Sequence, residues 1–384
     1  MSDPIAFIDL AAQRKRIGSA MDEAILRVVN HGGYIMGPEV KTLEADLSAF
    51  CGAKHSISCA NGTDALAMVL MAKGVKAGDA VLCPSFTFAA TAEVVAWVGA
   101  TPIFVDVRED TFNLDVAGLE AGLKTARSLN LNPVGVIPVD LFGLPADYAP
   151  IEAFCAREGL WLMCDAAQSF GASYQGRKVG VIGDATTTSF FPAKPLGCYG
   201  DGGAIFTNDD ELATVLRSIR VHGQGTEKYD NVRIGVNGRL DTMQAAVLIE
   251  KLKIFPSEIE ARERVAQYYN EHLRDVAVVP EVPEGSTSVW AQYTLRMGSF
   301  DREQFQADLK AAGVPTAVYY PKPLHQQTAY KVYPVAGNGL PVSERLAQEV
   351  VSLPMHPYLT PAVQDRIIAA VKDALARQQK DAAE

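Results

Sequence analysis

The stretch Thr188-Ser189-Phe190-Phe191-Pro192-Ala193-Lys194-Pro195-Leu196-Gly197-Cys198-Tyr199-Gly200-Asp201-Gly202-Gly203 sets one lysine between two prolines, after an apolar run and before a glycine cluster. Proline fixes φ and removes a backbone donor, so Lys194 stands outside any regular helix or central strand. Its backbone is held in a stiff turn while its side chain is free to point inward. A nucleophilic lysine needs that setting: a fixed base, apolar neighbours that lower its pKa, and space for an electrophile. The other reading is a lysine on a solvated loop. Ser189, Phe190 and Phe191 count against it.

The surrounding chain of 384 residues is long enough for a sizeable core and two domains. Its 48% hydrophobic and 21% charged residues are those of an ordinary soluble globular protein. A net charge of −10 argues against nonspecific binding to nucleic acid or to an anionic membrane. An anionic small ligand would need a local basic pocket. The six cysteines are scattered, with no C-x-x-C pair and no ligand-spaced histidines, which predicts buried, reduced thiols in a cytoplasmic protein and no metal. No signal-peptide pattern opens the sequence and no apolar run reaches membrane-spanning length.

Read in order, residues 10–29 have the spacing of one amphipathic helix, and Pro38 opens a second through about residue 50. Strands are then expected at 55–59, 80–83, 102–105, 134–139, 160–164, 185–190 and 204–207. Helices are expected between them at 63–72, 89–98, 116–126 and 149–157. This alternation predicts a largely parallel sheet covered on both faces, with strands that are apolar runs rather than alternations. A helix at 211–220 and a polar, glycine-rich passage at 222–239 follow. A long helical pattern, 241–273, is interrupted at Pro256. Strand-like 289–297, a helix at 302–312, strand-like 316–319 and a helix at 361–378 complete the chain, with a frayed tail from Gln378. The expected division is a large domain, residues 1–249, and a smaller α+β domain, 250–384, joined by the long helix.

Parallel α/β sheets present ligands to the carboxyl ends of their strands. Asn61-Gly62-Thr63 follows the first strand and enters a helix, offering backbone N–H groups and a hydroxyl to a phosphate, or an ordinary N-cap at Asn61 or Thr63. Phe86 and Phe88 follow the second strand, where an aromatic ring can lie against a planar ligand or join the core. Asp165 closes an apolar strand and Gln168 follows it. A carboxylate there needs a partner, such as a protonated heterocycle nitrogen, unless it is a helix cap. A strand-end Asp and a separate strand-end Lys form the arrangement that pyridoxal phosphate requires. Lysine bonds the aldehyde carbon, and aspartate keeps the pyridine nitrogen protonated.

The series NGTDAL, PSFTFAAT, DAAQ, SFFPAKPLGCYGDGG, RVHG and GVNGRLDTMQAAVL resembles the DegT/DnrJ family of pyridoxal-phosphate-dependent nucleotide-sugar aminotransferases over nearly the whole chain. The resemblance implies an α/β fold of the aspartate-aminotransferase type (fold type I) and a homodimer with shared sites. It makes Lys194 the residue bonded to the cofactor, Asp165 the partner of the ring nitrogen and Gln168 a neighbour of the ring hydroxyl. Phe88 would stack on the ring, where many relatives carry Trp or Tyr. Gly62, Thr63 and Ser189 would hold the phosphate, and Asn237 would reach it from the other subunit. Gly238 stands where many relatives have an aromatic residue, which implies more room beside the substrate. The amino donor would be L-glutamate, leaving as 2-oxoglutarate.

Residues 220–242 and Tyr319-Tyr320-Pro321-Lys322-Pro323-Leu324-His325 are most similar to family enzymes that aminate C3 of a UDP-linked 3-oxo sugar, the 3-oxo-N-acetylglucosaminuronate among them. Arg239 could clasp a carboxylate bidentately, and Tyr320 and His325 could meet the sugar or diphosphate. Alternatively, Arg239 is an interface ion pair and the tyrosines are strand-end packing. Amination at C4 of a 4-keto-6-deoxy sugar and a non-catalytic regulatory descendant are the competing functions. Lys194 itself speaks against a family dehydratase, in which histidine replaces it, and no G-x-G-x-x-G supports a dinucleotide enzyme.

Overall fold

Helices at the start of the chain pack beneath a sheet whose strands are joined by helical crossovers. The computed structural model describes residues 4–227 and 229–381. Three helices come first: α1 (Leu10–Ile17), α2 (Ser19–His31) and α3 (Pro38–Cys51). Strands β1 (His55–Cys59), β2 (Asp79–Pro84), β3 (Thr101–Val105), β4 (Asn132–Val136) and β5 (Trp161–Asp165) follow. Helices α4 (Gly62–Ala72), α5 (Ala90–Trp97), α6 (Ala117–Ser128) and α7 (Tyr148–Glu158) connect them. Two short strands, β6 (Ser173–Tyr174) and β7 (Arg177–Lys178), precede β8 (Ala185–Ser189), β9 (Gly203–Thr207) and α8 (Asp210–Ile219). The long helix α9 (Thr242–Leu273) leads to β10 (Ser286–Thr287), β11 (Tyr293–Arg296) and α10 (Arg302–Ala311). Helix α11 (Pro341–Glu349), strand β12 (Val350–Leu353) and helix α12 (Pro361–Asp381) end the described chain.

The main sheet has the order β1-β9-β8-β5-β4-β2-β3. Its strands are parallel except β9, which runs antiparallel to both neighbours. Register decides where the loops meet. Asp165 pairs with Thr187, Ser189 with Gly203, and Gly203 with Cys59. Three strand ends from distant parts of the sequence therefore converge on one edge of the sheet. β8 departs from the expected apolar run: it reads Ala-Thr-Thr-Thr-Ser and is buried nonetheless. Its threonine hydroxyls donate to the carbonyls of Ile182, Cys164 and Ala166, which removes the cost of burying them.

Several sequence expectations need correction. Residues 10–29 form two helices, because Gly18 adopts φ +67° and its N–H closes α1 on the Arg14 carbonyl. α9 passes through Pro256 without interruption. The loss of one backbone donor there is outweighed by buried side chains along both halves of the helix. Only residues 293–296 of the expected strand 289–297 are β. The N–H groups of Val289 and Gln292 bond instead to the carbonyls of Gly143 and Phe142. Residues 316–319 contribute a single bridge, Ala317 to Ser352. The tail is helical to Asp381, with Gln378 bonded to both backbone groups of Asp301.

The first half of α9 packs in a cluster with α3 and the end of the main sheet, around Leu43, Phe190, Phe206 and Phe255. Its second half joins a separate cluster with β11, β12, α10 and α12, around Tyr269, Tyr293, Phe305 and Val371. After α10 the chain returns to the main sheet, where Leu324 and Leu340 enter the core beside β2 and Pro334 and Ala336 bond to Phe104. All six cysteines are free and buried. Among the described residues no helix is long and apolar enough to cross a membrane, and no cluster of His, Cys, Asp or Glu is placed to hold a metal.

Candidate active site

Lys194 sits on the turn that follows β8. Its N–H donates to the Phe191 carbonyl at 2.8 Å, and the Cys198 N–H closes the loop on Phe190 at 2.7 Å. Proline on either side leaves no backbone freedom for the loop to unwind locally. Burial of the lysine nitrogen pushes its pKa down to about 8, against the charge of Asp165, which favours the ammonium. A substantial fraction is thus neutral near physiological pH.

Asp165, at the end of β5, is buried. One carboxylate oxygen accepts from the Thr91 hydroxyl at 2.9 Å, the other from the Ala167 N–H at 3.2 Å. Burial raises its proton affinity; Thr91, Ala167 and the charge on Lys194 work in the opposite direction. It is not a helix cap. Gln168 lies one turn further on. Its Oε1 accepts from the Phe142 N–H at 2.6 Å, and its Nε2 donates to the Tyr320 hydroxyl at 3.2 Å.

Gly62 and Ser189 are in contact: a Cβ on Gly62 would stand 2.7 Å from that of Ser189. A Cβ on Gly203 would lie 2.5 Å from the Asn61 carbonyl. Glycine at both positions lets the first turn of α4 settle directly on the strand ends. Asn61 is the N-cap, its side chain accepting from the Asp64 N–H at 2.7 Å. The N–H groups of Gly62 and Thr63 have no partner within the helix, so backbone donors stand free beside Ser189.

Of the two aromatic candidates, Phe86 is core and Phe88 is 58% exposed. Tyr320, expected at the substrate, lies with its ring 6.3 Å from each of them and its hydroxyl on Gln168. His325 has both ring nitrogens engaged within the chain, Nδ1 with Ser85 at 2.7 Å and Nε2 with Glu344 at 3.0 Å. Asn237 and Arg239 flank the turn between β1 and α4, where the Ala60 N–H donates to the Gly238 carbonyl at 3.0 Å. Arg239 donates to the Asn237 side chain at 2.6 Å, and both line a surface cavity with Asn61, Gly200, Asp201 and Gln244. The expected room at Gly238 is filled by the chain itself: a Cβ there would meet Val236 at 3.0 Å and the Met68 sulfur at 3.3 Å. Thr91 escaped the sequence reading. Its only signal is a hydroxyl in the alanine-rich start of a buried helix, and its partner is 74 residues away.

A half-buried amine with a lowered pKa, a buried carboxylate on the adjacent strand and two free helix N–H groups lie at the same sheet edge. Residues 15–372 match the DegT/DnrJ/EryC1/StrS aminotransferase family. The chain belongs to that family. It is a pyridoxal-phosphate-dependent aminotransferase with the fold of its relatives. It is 52% identical over 368 residues to the UDP-2-acetamido-2-deoxy-3-oxo-D-glucuronate aminotransferase of Pseudomonas aeruginosa, covering 96% of this chain and 99% of the relative. A crystal structure of a family aminotransferase from Brucella abortus superposes with a TM-score of 0.94 at 56% identity, covering 96% of this chain and 99% of that one. NtdA of Bacillus subtilis, solved with bound cofactor PMP, superposes with a TM-score of 0.89 at 28% identity, covering 98% and 86% of the two chains.

Proposed function

We propose that this enzyme moves an amino group from L-glutamate to C3 of UDP-2-acetamido-2-deoxy-3-oxo-glucuronate, in the cytoplasm, for the assembly of a cell-surface polysaccharide such as an O-antigen. The observation that carries the substrate is the 52% identity, end to end, with an aminotransferase of that name. Arg239 supports it physically. Its Nη2 holds Asn237 and its Nε has no hydrogen-bond partner, so the donors of this guanidinium are not used up within the described chain.

Bound pyridoxal phosphate supplies the electron sink that acidifies the donor's α-carbon and carries nitrogen from one substrate to the other. The chain's residues do the rest. Gly62 and Thr63 N–H groups, with the Thr63 and Ser189 hydroxyls, hold the phosphate. Asp165 keeps a proton on the ring nitrogen, which is why its burial with only one hydroxyl and one N–H donor is useful. Gln168 orients the ring hydroxyl, and the exposed face of Phe88 covers the ring. Lys194 would hold the cofactor by its amine and, when that amine is free, would take the proton from the donor's α-carbon. A pKa near 8 leaves it neutral often enough to accept that proton and basic enough to return it.

A homodimer completes the site in this reading, with Asn237 and Arg239 serving the opposite subunit. The two cores on either half of α9 support two domains joined by that helix; in the division 1–249 and 250–384, Phe255, Leu324 and Leu340 of the second part pack back onto the first. The test is to assay the UDP-linked 3-oxo-uronate and a 4-keto-6-deoxy nucleotide sugar with wild type and Arg239→Ala. The uronate should be preferred, and losing Arg239 should lower kcat/KM for it about 10²-fold while sparing the neutral sugar. Equal use of both ketones by the wild type would overturn the assignment.

A further inference from the structure

Behind the site lies a second buried carboxylate that the amine chemistry does not touch. Asp140 follows β4 and is 0% exposed. Its Oδ1 accepts from the Ala146 N–H at 2.9 Å and from the Tyr148 hydroxyl, and its Oδ2 accepts from the Ser169 hydroxyl at 2.6 Å. The titratable groups facing it are Tyr148 of α7 and Cys164 and Asp165 of β5; none is a cation.

Asp140 belongs to a set of bonds that hold the turn 165–169 against residues 138–142. The Asp165 N–H donates to the Pro138 carbonyl and the Asp140 N–H to the Asp165 carbonyl, both at 3.0 Å. The Phe142 N–H holds Gln168 at 2.6 Å, and Asp140 holds Ser169. Only one member of this set is ionisable. An asparagine could accept from Ala146 and Tyr148 with its oxygen and donate to Ser169 with its amide, without the cost of burying a charge. What it would lack is a negative charge beside Asp165. That charge is poised: burial first, and then the charge of Asp165, push the Asp140 carboxyl up to about 7, while its three donors work to keep it ionised.

We propose that Asp140 is a positioning residue: it fixes from behind the turn that carries Asp165 and Gln168, and its negative charge strengthens the hold of Asp165 on the proton at the cofactor's ring nitrogen. The proposal rests on the role of Asp165 given above. Its mechanism is electrostatic, because a like charge behind a carboxylate raises the proton affinity of that carboxylate and of the cation it pairs with.

The experiment is a spectrophotometric pH titration of the holoenzyme reconstituted with pyridoxal phosphate, with far-UV circular dichroism to establish folding. Asp140→Asn should lower the midpoint of the cofactor's visible band by about one pH unit. Tyr148→Phe removes a donor and favours the neutral carboxyl, so it should move the midpoint the same way by a smaller amount; it decides the matter if Asp140→Asn does not fold. Asp165→Asn should shift the midpoint further than either. If it does so while both other variants titrate like wild type, Asp140 has no such role and the reading of Asp165 stands. If Asp165→Asn also titrates like wild type, both fall.

Discussion

Two lysines border residues 188–203, and burial pushes both down to about 8. Lys194 lies on the stretch itself, with Asp165 near enough to oppose that shift. Lys251, on α9, is 1% exposed, and its nitrogen has no hydrogen-bond partner. It lies 4.4 Å from the centroid of the Tyr199 ring, close to Cys198 and Glu258. The same shift therefore falls on the amine proposed to react in one place and on a buried structural one in the other. Proton affinity by itself does not identify a catalytic group. What separates the two is access: Lys194 shares an open edge with a carboxylate, a phosphate cradle and an exposed aromatic face, whereas Lys251 is sealed among core side chains.

The largest effect expected of this contrast is on turnover. Lys194→Ala should lower aminotransfer by about 10⁴-fold or more and abolish the visible band of the bound cofactor. Lys251→Met should leave kcat within about threefold. A Lys251 variant as inactive as the Lys194 variant, yet folded, would erase the distinction.

Stability should show the reverse order. The folded pKa of Lys251 lies below its ordinary value of 10.5, so the unfolded chain binds the proton more tightly. The stability Lys251 contributes is present above about 10.5 and is lost as pH falls toward about 8. Lys251→Met removes that dependence. It should be more stable than wild type at pH 7 by up to about 3 kcal/mol, with the gain fading as pH approaches the unfolded value. Denaturant midpoints measured at several pH values would show it. A variant less stable than wild type at pH 7 would mean that the contact with Tyr199 outweighs desolvation.

A smaller effect concerns how the apo-protein takes up its cofactor. Only neutral Lys194 attacks the aldehyde, so the uptake rate should climb as pH rises to about 8 and level off above it. From pH 6 to pH 8 the neutral fraction grows about 50-fold. Stopped-flow absorbance would follow it, and a profile still rising toward pH 10 would place Lys194 in a more solvated setting.

The strand ends and the turn that carry the proposed catalytic residues were legible in the sequence because their signals are local. Apolar runs ending in Cys59, Asp165 and Ser189 mark strand ends, and prolines around Lys194 mark a turn. The bonds that hold these groups in place were not legible. Thr91 reaches Asp165 across 74 residues, and His325 reaches Ser85 across 240. Such pairs follow from sheet order and register, which no local pattern encodes. The same limit explains the helix breaks: Gly18 ends a helix that its neighbours would continue, while Pro256 lies inside one that packing keeps whole.

Residues 188–203 by themselves determined the stiff turn on which Lys194 stands, since two prolines and the glycines beyond them constrain the backbone whatever surrounds them. Tertiary structure decided the rest. It set Gly203 between Cys59 and Ser189, brought Tyr320 to Gln168 and tied His325 to Ser85 and Glu344. It also sealed Lys251 in the core. The physical reason is that torsional preference acts within a few residues, whereas burial and hydrogen-bond satisfaction are settled only when distant segments exclude water together.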